Sequence, residues 1–377
     1  MERLQVYVLF LVILHSIAAE FACKAQNGAR NCSAIDLEAL DDFKNGMNDP
    51  ENRLSSWQGR DCFNPDDVTR YGFWNLSGKI RPTLIKIQSL KYLDLSLNTF
   101  GGIPIPRFVP GLVSLKYFDM NQVELSMVGS SWLKMLNQLP HLTELHLSSC
   151  GLSGSIPLLT PVNFTSLAVI DLSFNSFNSM LTSWLVNISS LEYIDLSNSG
   201  FRGGIPLGIS EIQRLRYLNL ALNNNLSADC LELFRESWEQ IKVLDLGSNK
   251  QHGKLPRSTG NMTYLTHFSL LLNNIEGGIP SIIGGLCNLI RLGLSGNNLT
   301  GGLVGKLPKW LGQLKNLQQL GLASNSFEGP IPASLGKLQK FTNVGLSVNQ
   351  LNGTPLESFG QLSELSVLDV SLISLQV

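Results

Sequence analysis

The chain has 377 residues, 44% of them hydrophobic and 15% charged, with a formal net charge of −1. That balance excludes a disordered chain, a nucleic-acid binder relying on a basic surface and an ordinary two-domain enzyme. Leucine supplies 68 residues, about 18% of the chain, which points to one motif used many times. Six cysteines without CxxC or Cys/His spacing give neither a disulfide-built scaffold nor a zinc site.

Arg3 precedes an apolar run from Val6 to Leu14, followed by His15 and the small residues Ser16, Ala18 and Ala19. This is the layout of a secretory signal peptide, residues 1–19, cleaved near Ala18 or Ala19, and the run is too short to span a bilayer. Export gives meaning to eight Asn-x-Ser/Thr sequons, at Asn31, Asn75, Asn163, Asn187, Asn225, Asn261, Asn298 and Asn352. Residues 33–48 read as one helix: Ser33 and Asp36 form a capping box, Leu40, Phe43 and Met47 recur at helical spacing, and Asp49-Pro50 ends the element. A bridge between Cys32 and Cys62 would tether this segment, contributing roughly 3–4 kcal/mol through loop closure.

From Leu90 onward one template recurs: Leu-x-x-Leu-x-Leu-x-x-Asn-x-Leu-x-Gly-x-Ile-Pro. Its units begin at Leu90, Leu115, Leu142, Leu167, Leu191, Leu215, Ile241, Leu265, Leu289, Leu317, Phe341 and Leu365, with steps of 24 to 28 residues. The Leu-x-Leu pair alternates like a strand, turning its leucines to the core and the residues beside them to the opposite face. A buried amide at the Asn position would bond backbone groups left unpaired by the following turn. Asn98, Asn175, Asn223, Asn249, Asn273, Asn297, Asn325 and Asn349 fill it; unit three has Cys150, and units two, five and twelve depart with Val123, Ser199 and Ile373. The Gly and Pro that follow permit an irregular extended return path.

A single unit leaves its leucines exposed on both open sides, so stacking makes the fold: a curved α/β solenoid with a parallel sheet on its inner face. Twelve strands at about 4.8 Å give a shallow surface some 50 Å long, suited to a protein, peptide or oligosaccharide rather than an enclosed small substrate.

The units ending in Ile-Pro or Leu-Pro, such as Asn297-Asn298-Leu299-Thr300-Gly301, resemble plant-specific leucine-rich repeats. The segment with Asp49-Pro50 and Leu54-Ser55-Ser56-Trp57 resembles the amino-terminal cap of those proteins. Together with Leu76-Ser77-Gly78-Lys79-Ile80-Arg81-Pro82, the chain is similar to the extracellular part of plant receptor-like proteins of the xylanase-elicitor receptor and Cf resistance type. The resemblance implies a right-handed superhelix with its sheet on the concave face, a cap over residues 20–75 and about twelve repeats over 76–377. It implies perception of a microbial or endogenous protein, peptide or glycan, in defence or development, at the cell surface or in the apoplast. Signalling would pass through co-receptor kinases where the protein is anchored, with no nucleic acid and no cofactor involved. The departures are a missing second cap disulfide and first strand, no carboxyl-terminal cap, and a last unit that loses the template at Ser371-Leu372-Ile373, leaving an open edge.

Candidate contacts lie on the strand positions facing away from the leucines. Tyr92, Tyr117, Tyr193 and Tyr217 share one slot; Asp94, Asp119, Asp195 and Asn219 sit two residues later, and unit three adds Glu144 and His146. An aromatic lane beside an acidic lane suits a basic or sugar-bearing partner, although Tyr-Leu-Asp-Leu is also a common filling of such repeats. His141, Glu144 and His146 form the only local polar cluster, and His146 and His267 stand five units apart, about 24 Å, too far to share a proton or a metal. Neither a Gly-x-Ser-x-Gly elbow nor a phosphate loop occurs, so the chain reads as a binder and not an enzyme. A soluble inhibitor of microbial wall-degrading enzymes, similar to polygalacturonase-inhibiting proteins, and a truncated product without function are the alternatives.

Overall fold

The computed structural model describes residues 34–52, 75–125, 131–181, 183–235, 238–301, 305–353 and 357–375. The signal segment, Cys23, Asn31, Cys32, Ser33 and residues 53–74 with Cys62 lie outside them. The proposed capping box, Cys32–Cys62 bridge and missing first strand therefore fall outside the described residues as well. The chain forms two compact units that divide between Ile87 and Gln88.

In the first unit a helix, Ala34–Gly46, carries Asp36 in its first turn and Lys44 in its last, complementing the helix dipole, and buries Ala39 and Phe43. It is shorter than the sequence pattern suggested. Met47 and Asn48 leave it and pair antiparallel with Gly78 and Ser77. Gly46 makes the exit and Gly78 receives it: Gly78 has a φ of +104°, and a Cβ there would stand 2.6 Å from the Gly46 carbonyl oxygen. Asp42 accepts hydrogen bonds from Arg81 and from Thr83 (2.6 Å), fastening the helix to the 3-10 turn Pro82–Lys86.

The second unit is built on one sheet of twelve strands, all parallel, running in sequence order from Tyr92–Asp94 to Val367–Asp369. Register is kept throughout, so the middle residues Leu93, Phe118, Leu145, Ile170 and their successors form one row buried in the core. The row ends at Leu368, 41% exposed, on the last strand of the sheet.

The asparagines do more than close their own turns. Asn175 Nδ2 donates to Leu172 O and Ser173 O of its unit and to Leu147 O of the preceding one, while its Oδ1 accepts from Cys150 N and Leu152 N there. Asn223, Asn249, Asn273, Asn297, Asn325 and Asn349 likewise reach back to Leu196, Leu220, Leu246, Leu270, Leu294 and Leu322. Two apparent departures perform the same donation. Ser199 Oγ bonds Leu172 O at 2.7 Å, and Cys150 Sγ bonds Met120 O at 3.0 Å. These rungs hold a strained turn: the residue before the asparagine slot has a positive φ in every unit, from Leu97 (58°) to Leu372 (52°), and only Gly296 among them is glycine. A left-handed Leu, Phe or Val costs about 1–2 kcal/mol, and the bonded amide beside it keeps the turn closed.

The return path contains short parallel pairings, such as His252–Lys254 with Asn274–Gly277, and then a 3-10 turn. Pro206, Pro256, Pro280, Pro308 and Pro332 each stand directly before one of these turns, supplying the fixed φ that enters it. The longer steps into units three and seven accommodate the helical turns Trp132–Leu136 and Cys230–Leu233.

One core position breaks the pattern. Gln251, fully buried, occupies the slot filled elsewhere by Leu226, Ile275 or Leu299; its Nε2 bonds Leu226 O at 3.3 Å, while its Oε1 and the nearby Asn249 Oδ1 have no partner. Gln251→Leu removes one orphaned acceptor and adds apolar burial, so Tm rises by about 2–4 °C in a thermal melt; a fall would show that the amide is needed. Asn223→Ala strands the buried Ser199 and Phe201 N–H groups and lowers stability by about 3 kcal/mol or more in urea unfolding.

Candidate ligand-binding face

The strand residues flanking the buried row point to the opposite side of the sheet, where the register aligns them in two lanes. In the first lane Tyr92 is 60% exposed and its ring lies 5.8 Å from that of Tyr117, whose ring in turn lies 5.3 Å from the imidazole of His146. Farther along, Tyr193 and Tyr217 stack at 4.1 Å with an interplanar angle of 10°. Glu144 approaches His146 at 3.4 Å.

The second lane has structural work in every unit where a carboxylate or amide occupies it. Asp94, Asp119, Asp171, Asp195, Asn219, Asp245 and Asp369 each accept the backbone N–H two residues on, from Ser96, Asn121, Ser173, Ser197, Ala221, Gly247 and Ser371. These Asx turns lead the chain from strand into bend. The remaining oxygens tie the lanes together: Tyr117 Oη donates to Asp119 at 2.9 Å, and Tyr217 Oη and Asn219 Nδ2 donate to Asp195 at 3.3 and 3.1 Å.

The ten candidates are thus unequal. Tyr92 and Asp94 are exposed; Tyr117, Glu144, His146 and Tyr193 are half-buried; Asp119, Asp195, Tyr217 and Asn219 are buried. Asp171 and Asp245 belong to the same lane, and the register signal that placed Asp119 and Asp195 also places them. The described sequon asparagines, from Asn75 to Asn352, are all exposed, and none lies on the long sheet. Cys150 and Cys230 are unpaired and buried, which pushes each thiol up to about 12; Cys287 is unpaired and exposed.

Burial of adjacent carboxyls sets the electrostatics. Desolvation raises Asp119 to about 6, and desolvation with Asp171 alongside raises Asp195 to about 7. Asp171 and Asp245 are raised by burial too. Burial opposes the charge on His146, but the Glu144 hydrogen bond and the Asp119 and Asp171 carboxylates outweigh it and raise its pKa. His267 falls to about 4 through burial and Arg291 beside it.

Comparison with known proteins agrees with this architecture. The family model described as leucine rich repeat N-terminal domain matches residues 34–62, and the leucine rich repeat model matches 141–160, 190–212 and 316–338. The chain is a leucine-rich-repeat solenoid. Receptor-like protein EIX2 of Solanum lycopersicum is 29% identical over 338 residues, covering 70% of this chain and 28% of that protein. Receptor-like protein 41 of Arabidopsis thaliana is 27% identical, covering 68% and 26%. The chain thus spans about a quarter of the length of these relatives. Among solved structures, the PEPR1-AtPEP1 complex superposes with a TM-score of 0.65 at 26% identity, covering 80% of this chain and 44% of that one. The plant peptide hormone receptor RGFR1 in complex with RGF2 gives 0.66 at 27%, covering 80% and 50%.

The raised carboxyls make stability depend on pH in a defined sense. Between the ordinary aspartate value of 3.8 and about 7 the folded state holds protons that the unfolded chain has lost, so stability declines as pH rises through that window. The raised His146 acts in the same direction, while His267, lowered to about 4, opposes it between about 4 and 6.5 and is outweighed by the four raised aspartates. Thermal melts therefore give a Tm that falls by several degrees from about pH 4 to about pH 7.5, and Asp195→Asn flattens the profile; a Tm that rises over this range would contradict the assignment.

Proposed function

We propose that this chain is the ligand-binding extracellular domain of a plant receptor-like protein, holding a protein, peptide or glycan on the open side of its long sheet in defence or developmental signalling. The carrying observation is the exposed Tyr92 ring, tilted against Tyr117, which in turn meets the His146 ring of the neighbouring lane, with acidic side chains alongside. Such a row offers flat apolar contact with polar tips to a basic or sugar-bearing surface. The similarity to the plant peptide hormone receptor RGFR1, solved in complex with RGF2, supports a peptide or protein ligand. In this reading residues 1–19 direct secretion, residues 20–75 cap the solenoid with a Cys32–Cys62 bridge, and the sequons carry glycans. The domain acts at the outer face of the plasma membrane with co-receptor kinases, or in the apoplast when released. Among the described residues no helix is long and apolar enough to cross a membrane.

The test is retention of extracellular peptides and glycans from elicited plant tissue on the immobilised, secreted protein, compared with Tyr92→Ala. The variant keeps its Tm, because Tyr92 is exposed, and retains about a tenth or less of what the parent holds. Equal retention by both would remove the row from the binding surface.

A further inference from the structure

The residue directly before the first leucine of each unit is polar or charged in eleven of the twelve units, as in Ser89, Ser190, Arg214 and Asn288. Before Leu265 it is Tyr264, 52% exposed. Two more exposed groups gather near this ring. Ile282, 46% exposed on the next 3-10 turn, Ser281–Gly285, lies against Gly260, where a Cβ would stand 2.5 Å from its side chain. Asn288 Nδ2 donates to Thr263 O at 2.9 Å, which sets Cys287, exposed and unpaired, in the slot that Thr263 fills one unit earlier. An aromatic ring, a branched aliphatic chain and a thiol therefore stand open to water on one stretch of two adjacent units. Exposed groups of this kind, brought together, favour association between copies of a chain.

Among them stands an asparagine suited to carry a cover. Asn261, exposed at the end of the 3-10 turn Arg257–Asn261, follows Gly260 directly and precedes Tyr264 by three residues. It opens the sequon Asn261-Met262-Thr263, whose Asn and Thr are exposed while Met262 is buried between them. Glycan attachment joins Asn261 Nδ2 to C1 of the first sugar, which leaves the pyrophosphate of a lipid-linked oligosaccharide donor as Nδ2 gives up one proton. Sugar rings carry flat C–H faces that rest on the face of an aromatic ring. A free sugar would be held weakly there. One tied to Asn261 has already lost its translational freedom to the covalent bond, so a weak contact suffices to keep it in place.

We infer that an N-linked glycan on Asn261 is a structural cover, resting on Tyr264 and Ile282 and screening the Cys287 thiol from other copies of the chain. The inference rests on the secretion and glycosylation in the proposed function and adds to them what one particular glycan does.

The test uses the full chain secreted from plant leaf cells, with its glycopeptides read by mass spectrometry. Asn261 carries a glycan in nearly every molecule; sugar on other sequons but not on Asn261 would overturn the cover alone, and sugar on none would overturn the secreted reading with it. Labelling of Cys287 by polyethylene-glycol-linked maleimide, assigned by its loss in Cys287→Ser, becomes about tenfold faster in Asn261→Gln, and disulfide-linked dimers form without reductant. Thr263→Ser, which keeps the sequon, labels as the parent does, and Tyr264→Ala, which keeps the glycan but removes its platform, labels severalfold faster. If Asn261→Gln is not secreted, a peptide N-glycosidase acting on the folded parent gives the same comparison. Unchanged labelling once the Asn261 glycan is gone, or an equal rise in Asn187→Gln, would overturn the proposal.

Discussion

The structure depends on a side-chain amide that cannot be satisfied within its own repeat. A turn between strand and return path leaves carbonyl and N–H groups facing the core, and burying them unpaired would cost about 1–3 kcal/mol each. The asparagine answers both needs: Nδ2 takes the carbonyls of its own bend and one from the unit before, and Oδ1 takes N–H groups of that same earlier unit. Its bonds close only when two units stand in register. The sheet, the buried aliphatic row and the left-handed residue beside each asparagine slot are thereby fixed relative to one another. Leucine burial supplies the drive to stack, but a leucine surface is non-directional and would tolerate slippage; the amide rung does not.

The same division between scaffold and surface governs the open side of the sheet. Of the two outward lanes, the one nearer the bend has been recruited to close it, because a short carboxylate or amide at that position reaches the N–H two residues on. Once engaged, an aspartate is a poor recognition group: its oxygens already have donors, and its neighbours across the strands press its charge toward neutrality. The lane nearer the strand start carries no such obligation. Tyr92, Glu144 and Arg291 stand there with polar tips or faces still able to meet another molecule.

Much of this was legible in the residues. The Leu-x-x-Leu-x-Leu spacing gives the number of strands, their order and which residues face the core, since those follow from period and stacking alone. The asparagine slot is readable as a turn-satisfying amide. What period does not convey is reach: that the amide bonds the preceding unit, and that Ser199 and Cys150 replace it with a hydroxyl and a thiol, depends on distances between units. The helix end was misplaced for a similar reason. Met47 fits a helical repeat, but Gly46 and Gly78 permit a close backbone approach that outcompetes one more turn. At the surface, sequence marks Tyr92 and Asp195 alike as outward-facing, and only packing distinguishes a 60% exposed ring from a carboxyl 2% exposed beneath its neighbours.

Repetition itself therefore becomes a reference for reading function. In a globular protein a glycine or a buried glutamine has no counterpart against which its cost can be judged. Here each slot has up to twelve, and a residue can be compared with others in nearly the same environment. Val123 in place of asparagine, Gln251 in place of leucine and glycine in place of aspartate all depart from what the slot favours. The first removes a rung near the start of the stack, the second orphans an acceptor in the core, and neither opens onto the outer face. The glycines alone, Gly293, Gly321 and Gly345, combine a local cost with cleared space on an accessible side.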